Sequence, residues 1–352
     1  MNLNVVLPSL SAILCFLFAA TVADQWVRRR QPYQLVWTIG LVWFGVAAGS
    51  EAIAGIAGWN ELLYRTWYLC GAVWVAGWLG LGTVYLLART RFGYAFAISL
   101  FLAGLFTFLT EQRYHYPGSG VAPLIYFAVA AIGGVAVGML TVRGDVRWAH
   151  VAGALIVGGS AVSVVMMATA ALPAPGYALD PHTGIPIGDL FPGYLRLLTP
   201  FFNITGAFAL VIGALYSAYV FMPKRRVIRY SLGGSQGAGS LIANLLLAPI
   251  AIVVNFAASL PGAVVALVRG RLTSRVPATI LIALGGLVPS ITSGLNRFGV
   301  TWAFFLGEFV GVVLIFVGFL VSIEVFSDIR LPFTRVVLVR RKQPDPTDGA
   351  PA

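Results

Sequence analysis

The sequence predicts an all-α fold: a polytopic integral membrane helical bundle with about nine crossings, its N-terminus outside and its C-terminus inside. Hydrophobic residues make up 59% of the 352 residues and charged residues only 10%, whereas about 25% of the residues of a soluble domain are charged. The apolar residues form runs of about 20, which is the helix length that crosses a bilayer. The basic residues cluster between alternate runs, as they do in multi-pass proteins.

Nine apolar runs have the length of a crossing, and most of the connections between them are short. The predicted crossings are 4–23, 33–56, 64–88, 93–110, 121–141, 148–171, 195–222, 277–295 and 300–323. The first run does not have the pattern of a signal peptide, because its basic cluster, Arg28 to Arg30, follows the run instead of preceding it.

The lysines and arginines predict the orientation, because they are enriched on the cytoplasmic side of membrane proteins. With the N-terminus outside, 19 of the 23 basic residues lie in cytoplasmic segments, and the net charge of +11 lies mostly there. The four predicted outside are Arg65, Arg113, Arg196 and Arg297. We therefore predict a bacterial-type cytoplasmic (inner) membrane protein whose basic face contacts anionic lipids, with no nucleic acid as a partner.

The apolar stretch 241–268 has basic residues on both sides, and a single crossing would move Arg269 and the residues after it outside. Pro249, Asn255 and Pro261 interrupt the stretch, and prolines kink or break helices. We therefore predict a re-entrant or interfacial helical hairpin that begins and ends on the cytoplasmic side. One kinked crossing is the alternative.

The predicted organisation has five parts. They are a seven-helix membrane bundle at 1–222, a basic Gly-rich cytoplasmic loop at 223–240, a re-entrant or interfacial hairpin at 241–276, a two-helix hairpin at 277–326, and a basic, then disordered, cytoplasmic tail at 327–352. The end of the tail is polar and rich in proline, which is a composition typical of disorder.

Two carboxylates lie within predicted crossings, where an ionisable group costs about 2.5–3.5 kcal/mol even on a lenient insertion scale. Glu51 lies near the outer end of the second crossing, on a face of small residues. Glu308 lies in the outer half of the last crossing, within the pattern Gly307-x-x-x-Gly311. Because small residues mark contacts between membrane helices, we expect both carboxylates to face other helices.

Three further polar residues are predicted near the outer side. Asn203 lies at a depth similar to that of the carboxylates, and Arg65 and Arg297 lie at the outer ends of their helices. We predict that these residues converge with Glu51 and Glu308 in an outward-facing polar pocket that binds a cation, a proton or a cationic group. The alternative is a packing network in which each carboxylate meets an arginine or a helix end.

An aromatic stripe on the third crossing includes Trp74 and Trp78 near mid-bilayer, although tryptophan usually favours the membrane interfaces. We predict that this stripe borders the pocket as a wall for an apolar, aromatic or quaternary-amine ligand, the last through cation–π contact. Ordinary aromatic packing against the small-residue face of the second crossing is the alternative.

The sequence excludes several chemistries. Both lysines, Lys224 and Lys342, lie in predicted cytoplasmic segments, which excludes a retinal protein, and the three histidines include no haem-binding pair. We predict no metal or cofactor and favour a protein without catalytic activity. The predicted function is the binding or transport of a small solute or lipid. The alternative is a sensory or assembly subunit that acts through a protein partner in the membrane.

Overall fold

The chain is built from helices and one short pair of strands. The computed structural model describes residues 3–181, 184–229, 238–269, 274–296, 301–322, 328–334 and 336–340. The helices are α1 Leu3–Arg29, α2 Pro32–Ala57, α3 Glu61–Trp67, α4 Val75–Leu86, α5 Gly93–Tyr114, α6 Ala122–Val142, α7 Trp148–Thr169, α8 Gly193–Arg196, α9 Leu198–Phe221, α10 Ala238–Val268, α11 Arg275–Asn296 and α12 Thr301–Val321. A π-helical segment, Tyr68–Trp74, joins α3 to α4, and a 3₁₀ turn, Gly188–Leu190, precedes α8. The strands β1 Asp328–Arg330 and β2 Val337–Arg340 pair antiparallel.

Among the described residues, eight helical spans are long and apolar enough to cross a membrane, and they confirm the predicted all-α polytopic fold. They are α1, α2, the continuous span Glu61–Leu86, α5, α6, α7, the span Gly193–Phe221 and most of α12. In hydrocarbon every backbone polar group needs an internal partner, and a helix provides one within its own segment. The long apolar runs therefore fold as helices.

The N-terminal bundle and the α11–α12 hairpin share one core. Phe18 of α1, Trp37 of α2, Leu210 of α9 and Phe319 of α12 belong to a single buried cluster, which α11 completes. The rings of Trp37 and Phe319 meet edge to face, with their centroids 4.5 Å apart. The Trp37 indole N–H also donates to Leu79 O at 3.0 Å, which ties α2 to α4.

Glycines set the closest helix contacts. Gly80 of α4 and Gly206 of α9 meet backbone to backbone, so that a Cβ on either would overlap the other helix. On α12, a Cβ on Gly311 would lie 2.5 Å from Pro289 Cγ of α11. Close approach of this kind is how membrane helices gain van der Waals contact, and it accounts for the glycine pattern around Glu308.

The apolar stretch 241–268 departs from the prediction. It lies within one helix, α10, which continues through Pro249 and Pro261, so the predicted turn of a hairpin is wrong. A proline in a helix removes one hydrogen bond and bends the helix without having to end it. Asn255 does not interrupt α10 either, because its side chain bonds to the preceding loop, accepting from Ile228 N at 2.9 Å and donating to Ile228 O at 2.8 Å.

The basic tail contains a structure that the sequence did not predict. The β1–β2 hairpin contacts the end of α1, where Phe333 N–H donates to Asp24 Oδ1 at 3.1 Å and Arg28 donates to Thr334 O at 3.0 Å. Asp24 also pairs with Arg28 at 2.9 Å. The Gly-rich part of the predicted loop, 230–237, and the proline-rich end of the tail, which the sequence predicts to be disordered, lie outside the described residues.

The helix ends form two faces, because the short connections make consecutive spans antiparallel. We call one of them the basic face; its turns are 30–31, 87–92, 143–147 and 222–229. These turns contain Arg30, Arg89, Arg91, Arg143, Arg147, Lys224, Arg225, Arg226 and Arg229. The turns of the opposite face are 58–60, 115–121 and 170–192. Glu51 and Glu308 both lie in the half of the bundle toward the opposite face.

Candidate functional site

Glu51 is a buried carboxylate with one unsatisfied oxygen. Only 4% of its surface is exposed. Its Oε1 accepts the indole N–H of Trp67 at 2.8 Å, whereas its Oε2 is buried without a hydrogen-bond partner among the described residues. A buried polar atom left unpaired costs about 1–3 kcal/mol, and more when it is charged. Glu51 therefore has a free acceptor inside the bundle.

The carboxyl group of Glu308 lies close enough to that of Glu51 for their charges to interact. It also interacts with the thiol of Cys15 on α1, and Cys15 shares a buried cluster with Phe44 of α2 and Val312 of α12. The packing of α12 on α1, and of α1 on α2, thus brings together two acids that are far apart in the chain. We call Glu51 and Glu308 the carboxylate pair. Two ionised carboxylates repel each other, and a bound proton or cation offsets that repulsion.

The path of the third span explains why Trp67 reaches Glu51. The π-helical segment begins directly after Trp67, and its Gly71 lies against α2, where an added Cβ would be 3.0 Å from Ala47 Cβ. This close approach brings the indole of Trp67 to the carboxylate. The sequence predicts a regular helix through 64–88, whereas π-helical turns occur frequently at functional sites.

Trp74 and Trp78 bond to α7 instead of the carboxylate pair. The Trp74 indole N–H donates to Ser163 Oγ at 2.9 Å, and the Trp78 indole N–H donates to Ser160 Oγ at 3.1 Å. Each serine hydroxyl donates in turn to a carbonyl of α7 at 2.7 Å. We call these four side chains the Trp–Ser ladder. The Trp74 ring also packs on Trp43 of α2, with centroids 4.7 Å apart.

Arg65 caps a neighbouring helix. Its guanidinium donates to Met167 O and, at 2.6 Å, to Ala170 O, both at the C-terminal end of α7. It also pairs with Glu61 at 2.6 Å. The last carbonyls of a helix lack intrahelical donors and carry partial negative charge, so a cation there is stabilising. Within the part of the chain that the structure describes, Arg65 bonds to neither member of the carboxylate pair.

The remaining predicted site residues do not join the pair. Asn203 is half-buried on α9, and among the described residues no hydrogen bond links it to Glu51 or Glu308. Arg297 lies outside the described residues. Of the seven predicted site residues, the structure therefore brings together Glu51 and Glu308, and it turns Arg65 and the two tryptophans toward α7.

The structure adds two residues, Trp67 and Cys15, that the sequence did not predict to be at the site. A signal for Trp67 was present, because Glu51 and Trp67 lie at equal distances from the turn 58–60 and so at equal depth in an antiparallel pair. Cys15 carries no such signal, since an isolated cysteine in an apolar run has the pattern of a small hydrophobic residue.

An aromatic cluster covers this end of the third span. Phe191, after α7, stacks on Tyr64 at 4.8 Å and contacts the Tyr68 ring at 4.2 Å, measured between centroids. The Tyr64 hydroxyl donates to Ile187 O. The Trp67 ring stacks on Tyr64 at 5.9 Å, so Trp67 connects Glu51 to the aromatic cluster of the opposite face.

No protein-family model, curated protein or solved structure matches this chain. In the described ranges, no group of three or more His, Cys, Asp or Glu residues is arranged to hold a metal ion. The carboxylate pair contributes two acidic side chains and, among the described residues, one unpartnered oxygen; such groups can bind a proton or supply ligands to a small cation.

Proposed function

We propose that this multi-pass membrane protein binds or transports a small solute through the carboxylate pair, which takes up a proton or a small cation. The observation that carries the proposal is the unpartnered Oε2 of Glu51 beside a second carboxylate inside the bundle. An ionisable group within a membrane is expensive. Other buried polar atoms also lack a partner among the described residues, including Trp43 Nε1 and both polar side-chain atoms of Gln34, but Glu51 is the one of them that can carry a charge. A proton or cation at Glu51 and Glu308 supplies the missing partner.

The proposal includes nine crossings, with the basic face in the cytoplasm. Met222 at the end of α9 packs with Val276 at the start of α11, and Ala263 of α10 lies in the same cluster. Since α9 ends and α11 starts on one face, α10 begins and ends there too. Ser259 of α10 also accepts the Arg225 N–H of the basic loop at 2.9 Å. These contacts favour an interfacial helix, and the excess of arginine favours the cytoplasmic side.

Cysteine labelling tests this topology. The native Cys15 and Cys70 are buried, so single cysteines can be introduced into the wild-type background and treated with a membrane-impermeant maleimide. We expect Val121→Cys to be labelled in intact cells, and Val146→Cys and Arg269→Cys only after permeabilisation. Labelling of Arg269→Cys in intact cells would mean that α10 crosses the membrane.

Charge removal at the pair tests the function. Glu51→Gln and Glu308→Gln keep the side-chain shape and remove the charge. In nanodiscs, infrared difference spectra between acidic and alkaline buffer report protonation of a carboxylic acid directly. In proteoliposomes, a trapped pH-sensitive dye reports proton flux with Na⁺ or K⁺ gradients. We expect each variant to lose the infrared band of the carboxyl that it replaces and to lose the flux, while its melting temperature stays close to the wild-type value.

Glu61→Gln is the matched control, because Glu61 is an exposed acid at the same end of the bundle and pairs only with Arg65 among the described residues. It should retain signal and flux. If both variants of the carboxylate pair bind protons and conduct as the wild type does, the proposed site is wrong. A membrane subunit that acts through a protein partner would then be the better interpretation.

A further inference from the structure

A second site candidate lies at the basic face, away from the carboxylate pair. A cavity of about 300 Å³ opens between the turn after α4 and the ends of α6, α7 and α9. Its polar lining consists of Arg89, Thr90, Arg91, Thr141 and Tyr216. The volume is at the lower end of the range of small-molecule sites, about 300–1,000 Å³, so the cavity suits a compact polar group.

The positively charged lining of the cavity favours an anion as its ligand. Its lining residues include Arg89 and Arg91 and no carboxylate. The acid in the adjoining turn, Asp145, accepts the backbone N–H of Arg147 at 2.9 Å and pairs with the Arg147 guanidinium at 2.8 Å. These contacts hold the pKa of the Asp145 carboxyl below its usual value. Asp145 is therefore ionised but already paired, and within the described ranges no carboxylate pairs with Arg89 or Arg91.

The turn that carries the two arginines is held in place by its own hydrogen bonds. The Trp148 indole N–H donates to Ala88 O at 2.9 Å. The Thr90 hydroxyl donates to Leu87 O at 2.7 Å and accepts the Phe92 N–H at 3.2 Å. A fixed turn loses little conformational freedom on binding, which favours affinity. The cavity is thus formed before any ligand enters it.

We propose that this cavity binds a phosphate group, carried by the headgroup of an anionic membrane lipid or by free phosphate. The guanidinium fork matches the geometry of phosphate oxygens better than an ammonium does. The Tyr216 hydroxyl belongs to the same lining, whereas the hydroxyl protons of Thr90 and Thr141 are already donated to Leu87 O and Val137 O. The cavity lies where four membrane spans end, which is the depth of lipid headgroups. This site does not depend on the function proposed for the carboxylate pair.

Arg89→Gln and Arg91→Gln, singly and together, test the proposal. The matched control is Arg226→Gln, because Arg226 is an exposed arginine of the same face and is not part of the cavity lining. Purified protein is placed in nanodiscs of phosphatidylcholine with or without phosphatidylglycerol, and separately titrated with inorganic phosphate. Thermal melting and retention of lipid in native mass spectrometry are measured. We expect binding to weaken about fivefold for each cavity arginine removed.

The two probes distinguish the sources of the phosphate. Stabilisation and retained lipid with phosphatidylglycerol alone would assign a lipid headgroup, and saturable stabilisation by inorganic phosphate would assign a free anion. In either case the double variant must lose the effect and Arg226→Gln must keep it. The proposal is overturned if the wild type binds neither probe, or if Arg226→Gln weakens binding as much as the double variant. The exposed single variants keep the test decisive if the double variant folds poorly.

Discussion

The carboxylate pair and the Trp–Ser ladder both place polar side chains inside one membrane bundle, but they differ in how completely those groups are satisfied. Each indole and hydroxyl of the ladder has a partner, and every bond joins α4 or the π-helical segment to α7 or closes within α7. The pair leaves Glu51 Oε2 without one among the described residues. Because hydrocarbon offers no water to replace a missing partner, a satisfied network holds helices together and an unsatisfied acid is suited to a ligand.

The largest loss of stability should come from removing Trp74 from the Trp–Ser ladder. Trp74→Ala deletes a buried ring that packs on Trp43 and bonds to Ser163. Such a deletion costs about 3–5 kcal/mol of unfolding free energy, so we expect a large fall in melting temperature in mild detergent. The folded fraction should keep the carboxylic-acid infrared signal of the pair.

Trp78→Phe is the control for Trp74→Ala, because it removes one indole N–H and leaves an aromatic ring beside Ser160. Its melting temperature should fall much less. The opposite pattern, an unchanged melting temperature with a lost infrared signal in Trp74→Ala, would show that the aromatic stripe belongs to the site, as the sequence predicts.

The helical membrane fold could be predicted from the sequence because short stretches of the chain determine where each span lies. Apolar run length predicts the spans, and the small residues around Glu51 predict that α2 turns this face toward other helices, where the side chain is in fact buried. α10 escaped prediction because a proline in an apolar run has the same pattern whether the helix turns or bends. The contacts of Asn255 with Ile228 that stabilise it depend on tertiary structure.

The site could be predicted only in part from the sequence, because the hydrogen-bond partners of its side chains depend on how the helices pack. The sequence grouped Arg65 with the carboxylates by its depth, and Trp74 and Trp78 by their place on one aromatic helix face. The structure gives Arg65 the carbonyl end of α7 as its partner and gives the tryptophans the serines of α7. A serine within an apolar run usually bonds to its own helix, so nothing in the sequence of α7 marks Ser160 and Ser163 as acceptors for another helix.

A smaller loss of stability is expected at Arg65, which the sequence grouped with the carboxylate pair and the structure places at the end of α7. Arg65→Gln removes charge-assisted bonds to Met167 O and Ala170 O. Hydrogen bonds to a charged group contribute about 1.5–3 kcal/mol, and we expect a loss toward the lower end because Glu61 and solvent already compete for the guanidinium. Hydrogen exchange should accelerate at the C-terminal end of α7, and the infrared signal of the pair should persist.

Arg113→Gln is the control for Arg65→Gln, since Arg113 is exposed on the same face and contacts the Tyr114 ring. It should leave exchange in α7 unchanged. If Arg65→Gln leaves hydrogen exchange in α7 unchanged but loses the infrared signal of the carboxylate pair, Arg65 belongs to the site after all.

The smallest expected effect concerns a single bond of the ladder. Ser163→Ala removes the acceptor of the Trp74 indole N–H, and hydrogen bonds between membrane helices contribute about 0.6 kcal/mol on average. Ser99→Ala is its control, because Ser99 is equally buried and donates only to Phe96 O of its own helix. A double-mutant cycle of Ser163→Ala with Trp74→Phe should give a coupling energy of about 0.5–1 kcal/mol. A coupling near zero would mean that the Trp74–Ser163 bond does not stabilise the contact with α7, and then the satisfied bond of Trp74 would no longer explain how the ladder differs from the carboxylate pair.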